Sequence, residues 1–568
     1  MRSGGSMLLY SSARTGFRRG LCFAMGVLRT SLSPDRYALV ELVAWFSACL
    51  ILVWPNADVP IIDEWTYAWS VEHVLQTGTL ELLPISSVYP VMQILWGALF
   101  SAPAGFSFAA LRVSTVALAI VGASALYLTL RELGLSSQRA RLGTFFVIAN
   151  PVSILLTHSF MTDIPYLSIA SCAALMYVRG FTQGRRACLW LAALLSVGGI
   201  LIRQVALAVP VAAFAVWLTT KDPKLRKAAA LPVLCACLAS FALWILVSQL
   251  LGRNEEEARR LELVRYALKP GPVVYAQWVL EVLLMLAFML LPLTLSTLRG
   301  RGWRGLASAV GVAVLSYAWM RSTTASTSAF NPLVSPVATL TTHELGGARN
   351  LLHGMLESTA YDSALAGVAE MLAFFSLGLA LCTIVRAIRR NEVTTPSPLG
   401  FRFFVALGLC HLVLICVLWL FSDRYYLVLL PTAVVCLLSM LGTTRVSMRV
   451  AIAALLGQAV LGIVGTRDVL HYNQMCERAR TELRRAGIHP YDIDAGWTFN
   501  GWVLYAQPEN LPAGVDRARD IPGVTSKARR PFMLAVSPVE GYELVQRWHW
   551  TGLPWPRPHE LFILRKVP

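Results

Sequence analysis

Apolar runs recur along this chain from position 37 to 466, separated by short polar or basic turns. Many approach the ~20 residues that a helix needs to cross the hydrocarbon core of a bilayer. The pattern predicts thirteen spans: 37–54, 108–130, 142–158, 164–178, 187–202, 204–219, 228–250, 274–297, 304–320, 364–386, 401–421, 425–441 and 449–466. Two longer loops interrupt them, 55–107 and 321–363. In the first, Trp65, Ala68, Val71 and Leu75 fall at helical spacing and Gly78 supplies a stop, which predicts an amphipathic helix on the membrane surface. After 466 the apolar pattern ends. Asp468–Arg485 reads as a helix closed by Gly487, followed by turn-rich and strand-like pieces that end in Leu561-Phe562-Ile563-Leu564.

The chain is therefore expected to be a polytopic α-helical membrane protein in three parts. These are an N-terminal segment 1–36, a transmembrane part 37–466, and a small α+β domain 467–568. Composition agrees: 56% of residues are hydrophobic and only 14% charged, against about 25% charged in soluble domains. The net charge of +17 does not point to nucleic acid. Its arginines and lysines sit in alternate short loops, such as Arg131/Arg139/Arg141, Arg179/Arg185/Arg186 and Arg386/Arg389/Arg390, as the positive-inside bias produces. That sidedness puts the N-terminus in the cytoplasm and, with an odd number of spans, the domain after 466 outside. The N-terminal run Leu21–Leu28 is too short to span, so 37–54 is expected to be an uncleaved first helix. Eleven cysteines without a CxxC pair predict packed thiols, not disulfides or zinc. No Asn-x-Ser/Thr acceptor occurs, which favours the cytoplasmic membrane of a bacterium over a eukaryotic lumen.

Candidate chemistry gathers at the outer ends of the spans. Asp63-Glu64 opens the surface helix, and Asp163 lies in the short outer loop 157–165. Each has a plain alternative role as a helix cap or first-turn acid. Arg203, Arg424 and Arg112 break the positive-inside pattern, because all three lie near the outer boundary. A cation there is costly unless paired or used. It is either in a salt bridge, for instance Arg424 with Asp423, or it clamps phosphate, which suits the guanidinium fork. Acids and arginines beside the headgroups suit an enzyme acting on a phosphate attached to a lipid. His343-Glu344 lacks the second histidine of a zinc-protease helix, since Gly347 stands there. His411, inside an apolar run, reads as a helix–helix hydrogen bond.

Three patterns carry a family resemblance. They are Asp63-Glu64 with Tyr67-Ala68 and Tyr89-Pro90; Arg112 with Asn150-Pro151 and Asp163; and Arg424-Tyr425-Tyr426 with Pro431. In their order and sidedness the chain resembles the GT-C glycosyltransferases. It is nearest the aminoarabinose transferases of lipid A, the protein O-mannosyltransferases and the rhizobial galacturonosyltransferases. The resemblance is best over 37–215 and 420–431. It departs at Tyr89-Pro90, where many relatives have two prolines. It implies a sugar donor on polyprenyl phosphate and inverting transfer to a lipid, glycan or protein acceptor outside the cytoplasmic membrane. Asp63 would be the general base, Glu64 would orient it or help hold a cation, and Asp163 would assist. Arg203, Arg424, Tyr426 and Arg112 would serve the donor phosphate. No motif requires a metal, and a divalent cation between Asp63, Glu64 and a distant histidine stays open. In the tail, Trp497 and Trp502 either stack on sugar or fill a core.

Two other functions fit parts of the pattern. A transporter or flippase of lipid-linked glycans explains the spans and outer arginines, but calls for charges near the bilayer midplane. A non-catalytic envelope assembly protein would use the carboxylates as caps alone.

Overall fold

The computed structural model describes residues 33–54, 56–86, 88–251, 262, 264–265, 268–324, 360–390, 397–418, 423–441, 446–515, 530–535, 538–550 and 559–567. His343 and Glu344 lie outside the described residues. Among those described, eight helices are long and apolar enough to cross a membrane, and nine if one bent pair counts as a single span. The chain is a multi-pass membrane protein. All thirteen predicted runs contain helix, but Arg186–Ile200, Gln204–Thr219 and Arg424–Met440 are short, in the 10–17 residue class. Two of these short runs begin with a 3₁₀ turn or carry one near their start, Gln204–Leu207 and Leu427–Leu429.

The first loop folds as its periodicity predicts. Glu64–Thr77 is helical and stops at Gly78, whose φ of +72° is the left-handed conformation that closes a helix without a Cβ penalty. A second helix in this loop, Val91–Ser101, was not anticipated.

The bent pair is built at Asn150-Pro151. Ser137–Ile148 and Pro151–Thr157 meet at 71°. Proline has no N–H to continue the ladder. The Asn150 side chain covers both broken ends, donating to Val147 O at 2.6 Å and accepting from Ser153 N at 2.9 Å. The chain then turns through residues 158–162 into the helix Asp163–Gln183. That helix lies so close to Phe108–Glu132 that a Cβ on Gly122 would come within 2.6 Å of the Ser168 backbone.

No helix end falls at 466. Span and tail helix are one continuous helix, Met448–Arg485, of 38 residues. Composition changes there from apolar to charged, but no proline, glycine pair or cap breaks the ladder. At 1.5 Å per residue such a helix is about 57 Å long, nearly twice the ~30 Å hydrocarbon core. Its far half carries the C-terminal domain: Cys476, Ala479 and Leu483 pack against Ile493, Leu534, Leu561 and Ile563. The sheet has the order β1-β2-β4-β3, with β1 Ile493–Asp494, β2 Phe532–Ala535, β3 Tyr542–Trp550 and β4 His559–Lys566. β1 and β2 are parallel and the other pairs antiparallel. All ten described cysteines are free, Cys476 among them, as expected for packed thiols.

The long helix is seated against the short Pro151–Thr157 helix at Gly462. A Cβ there would stand 2.8 Å from Ile154 Cδ1 and 2.9 Å from Pro151 Cα. Gly462→Val should therefore destabilise the fold by about 1–3 kcal/mol, seen as a lower unfolding midpoint in detergent. An unchanged midpoint would mean that the two helices part without cost.

Candidate active site

The site is founded on a buried ion pair. Glu64 and Arg112 have fully buried side chains and meet at 2.5 Å. Arg112 also donates to Ala57 O and Val59 O, each at 2.6 Å. Glu64 accepts from Ile61 N at 2.9 Å and from Phe160 N at 2.7 Å. The pair thus ties the chain leaving the first helix, the surface helix, the helix Phe108–Glu132 and the loop before Asp163. Two ions without water are stable only when their remaining hydrogen-bonding groups are also met, and four backbone groups here contribute to that. Both residues are candidates for the chemistry, and their side chains lie fully buried against one another.

Asp63 stands at the surface of this support. It precedes the helix Glu64–Thr77 but its side chain makes no capping hydrogen bond. Ile62 before it has φ +53°, a left-handed conformation costly for a β-branched residue. Ile62 O accepts from Thr498 Oγ1 at 3.1 Å and the Ile61 N–H is held by Glu64, so the strained turn is fixed from both sides. The turn directs the Asp63 carboxylate away from its own helix. Oδ2 accepts from Arg424 Nη1 at 2.8 Å and Oδ1 from Trp497 Nε1 at 2.7 Å. Its side chain keeps 24% exposure, whereas that of Asp163 keeps 2% and that of Glu64 none.

Asp163 begins its helix and pairs with Arg203. Arg203 is held in the tight turn after Arg186–Ile200 by its own N–H, which donates to Gly199 O at 3.0 Å. Tyr425 joins the two pairs. The guanidinium carbons of Arg203 and Arg424 each lie 4.9 Å from its ring centroid, and Arg424 Nη2 donates to its hydroxyl at 3.0 Å. The result is a row: Asp63, Arg424, Tyr425, Arg203, Asp163. Two carboxylates and two guanidiniums alternate around one aromatic ring, a cation–π arrangement worth most where water is scarce. Tyr67 is buried next to this row. Burial, and then the Asp63 carboxylate, push its phenol up to about 12, so it stays protonated at neutral pH.

Four of the seven predicted site residues therefore come together here: Asp63, Asp163, Arg203 and Arg424. Tyr426 lies behind, buried, its hydroxyl donating to Glu281 Oε1 at 3.4 Å. Glu281, Tyr425 and Tyr67 had been given no role. Glu281 carried a readable signal, as a lone acid within an apolar run. His411 has the helix–helix partner expected of it, Tyr166 Oη at 2.7 Å. Trp502 packs on Phe106 and Phe108. Trp497 follows the core reading, edge-on to Trp65, and its indole N–H also bonds Asp63, a contact the sequence did not suggest.

Among the described residues no group of three or more His, Cys, Asp or Glu side chains is arranged to hold a metal ion. Each of the three acids is already matched to a guanidinium, Asp63 to Arg424, Glu64 to Arg112 and Asp163 to Arg203. These residues as arranged do not fit a divalent cation.

No family model and no curated protein matches the chain. Solved structures do. ArnT from Cupriavidus metallidurans, bound to undecaprenyl phosphate, is similar over 92% of this chain and 97% of that one, at 14% identity and a TM-score of 0.38. A protein O-mannosyltransferase complex of S. cerevisiae, bound to the sugar donor, matches 41% of this chain at 15% identity and a TM-score of 0.33. That match spans only 36% of the yeast chain. The oligosaccharyltransferase AglB of Archaeoglobus fulgidus, in complex with an inhibitory peptide and a dolichol-phosphate, matches over 79% of this chain and 58% of that one, at 13% identity and a TM-score of 0.40. These neighbours are glycosyltransferases of the GT-C type.

The roles of Arg112 separate by experiment. As support, Arg112→Ala leaves Glu64 buried and unpaired and should cost about 3–5 kcal/mol of stability, read as a lost or lowered unfolding transition. Wild-type stability with weakened phosphate binding would instead make Arg112 a phosphate ligand.

Proposed function

We propose that this chain is an inverting glycosyltransferase of the GT-C type. It moves a sugar from a polyprenyl-phosphate donor to an envelope acceptor at the outer face of the cytoplasmic membrane. The observation that carries this reading is Asp63. It is the one acid of the site with an exposed face, fixed by a strained turn beside two arginines and close to where the apolar helices end.

The chemistry follows from the row of side chains. An acceptor hydroxyl gives its proton to Asp63 while its oxygen bonds to the anomeric carbon. The bond from that carbon to the phosphate oxygen breaks, and its electron pair leaves with the lipid phosphate. General-base assistance of this kind contributes about 10²–10⁴-fold. Charge gathers on the departing phosphate, where Arg424 and Arg203 can meet it in a site sheltered from water. Arg203 supports this role in particular: it is buried, and its Nε has no hydrogen-bond acceptor among the described residues. A phosphate oxygen would supply one.

In membranes given radiolabelled polyprenyl-phosphate sugars, Asp63→Asn should reduce transfer by about 10²–10⁴-fold with equal insertion of the protein. Undiminished transfer would remove Asp63 as the base, and a wild type that never consumes donor would favour the transporter reading. Because arginines already match the acids, transfer should also persist in excess EDTA. Loss of activity there, restored by a divalent cation, would show that one of the ion pairs opens to a metal.

A further inference from the structure

We propose that Trp497, from the C-terminal domain, is the positioning residue of the Asp63 carboxylate, holding Oδ1 so that Oδ2 faces the acceptor once the donor phosphate draws Arg424 away. This rests on the reading of Asp63 as the general base.

The two partners of Asp63 differ in kind. Arg424 is a cation and must answer to any anion that enters the site. A donor phosphate therefore competes with Asp63 for it. An indole N–H only donates, carries no charge and does not titrate. Its bond to Oδ1, at 2.7 Å, survives that competition. With Arg424 drawn to phosphate, Oδ2 is left to accept the acceptor's proton, while Oδ1 stays pinned. A base masked until the donor is present also spares the site from deprotonating an acceptor too early.

The local structure is built to hold the indole still. Trp497 lies in the short helix Gly496–Asn500. Asp494 Oδ1 accepts from Gly496 N at 3.1 Å and from Asn500 Nδ2 at 2.7 Å. Asn500 Oδ1 accepts from Ala495 N at 3.2 Å. Thr498 bonds to Ile62, the residue before Asp63. At Gly501 a Cβ would stand 2.2 Å from the Trp65 ring, so only glycine allows this approach. Gly501–Tyr505 continues as a π-helical turn, a form frequent at functional sites. A contact needed only for packing would not require a donor aimed at the one exposed acid.

The test compares the full-length wild type with Trp497→Phe, Thr498→Val and Asp63→Asn in membranes. Trp497→Phe keeps a ring against Trp65 but loses the donor. Its kcat should fall roughly ten- to a hundredfold with donor KM unchanged. Thr498→Val, which frees the segment from Ile62 without touching a core, should show a smaller change in the same direction. It carries the test if Trp497→Phe does not insert. Unchanged kcat in the inserted variants overturns the proposal, as does a raised donor KM with kcat unmoved. Full activity of Asp63→Asn would instead overturn the general-base reading beneath it.

Discussion

The Glu64–Arg112 pair does its work out of reach of solvent, and four backbone groups in two stretches of chain depend on it. Arg112 comes from one helix of the bundle, Glu64 from the surface helix, and their remaining bonds go to Ala57, Val59, Ile61 and Phe160. Each of those backbone groups would otherwise be an unmet polar atom where the chain re-enters apolar surroundings, a cost of a kcal/mol or more apiece, of order 1–3. The ion pair is therefore less a source of attraction than a means of ending irregular chain in one fixed shape. Asp63 adjoins Glu64, so its position is set as a by-product.

Above this support the charges are balanced. Asp63 and Asp163 are matched by Arg424 and Arg203, with Tyr425 between the cations. Such a row is stable without substrate, which matters for a site next to lipid, where unmatched charge is expensive. It also sets a condition on the ligand. An anion entering the row must offer the arginines at least what the carboxylates offer, and phosphate does so through its several oxygens. The same exchange loosens a carboxylate. On the proposed reading of Asp63 as the base, anion binding and readiness of that base are linked through one guanidinium.

Local signals in the sequence were readable, and distant pairings were not. The helix from Glu64 to Gly78 followed from spacing and one glycine, whereas the bend at Asn150-Pro151 falls inside what was read as one span, 142–158. The acids and arginines stood out by type and by place along the spans. What each one touches did not. Arg424 had Asp423 as its nearest sequence partner, yet it bonds Asp63, 361 positions away. Trp497 reaches the same carboxylate across 434 positions. Arg112 looked like an exposed boundary cation because a fully buried partner 48 residues earlier cannot be inferred from one sequence. The continuity of the helix through 466 was hidden for a different reason. A change from apolar to charged residues marks a change of surroundings, and a helix can cross it unbroken.

That unbroken helix has a mechanical consequence. From Met448 to Arg485 there is no joint, and Gly462 seats it firmly against the bundle. A helix too long for a thin bilayer accommodates it by tilting. Here the tilt cannot be absorbed at the lipid surface, because the same rod continues into the sheet. A change of tilt in the apolar half would therefore be carried, as a rigid rotation, to the sheet residues Ile493, Leu534, Leu561 and Ile563 that pack on its far half.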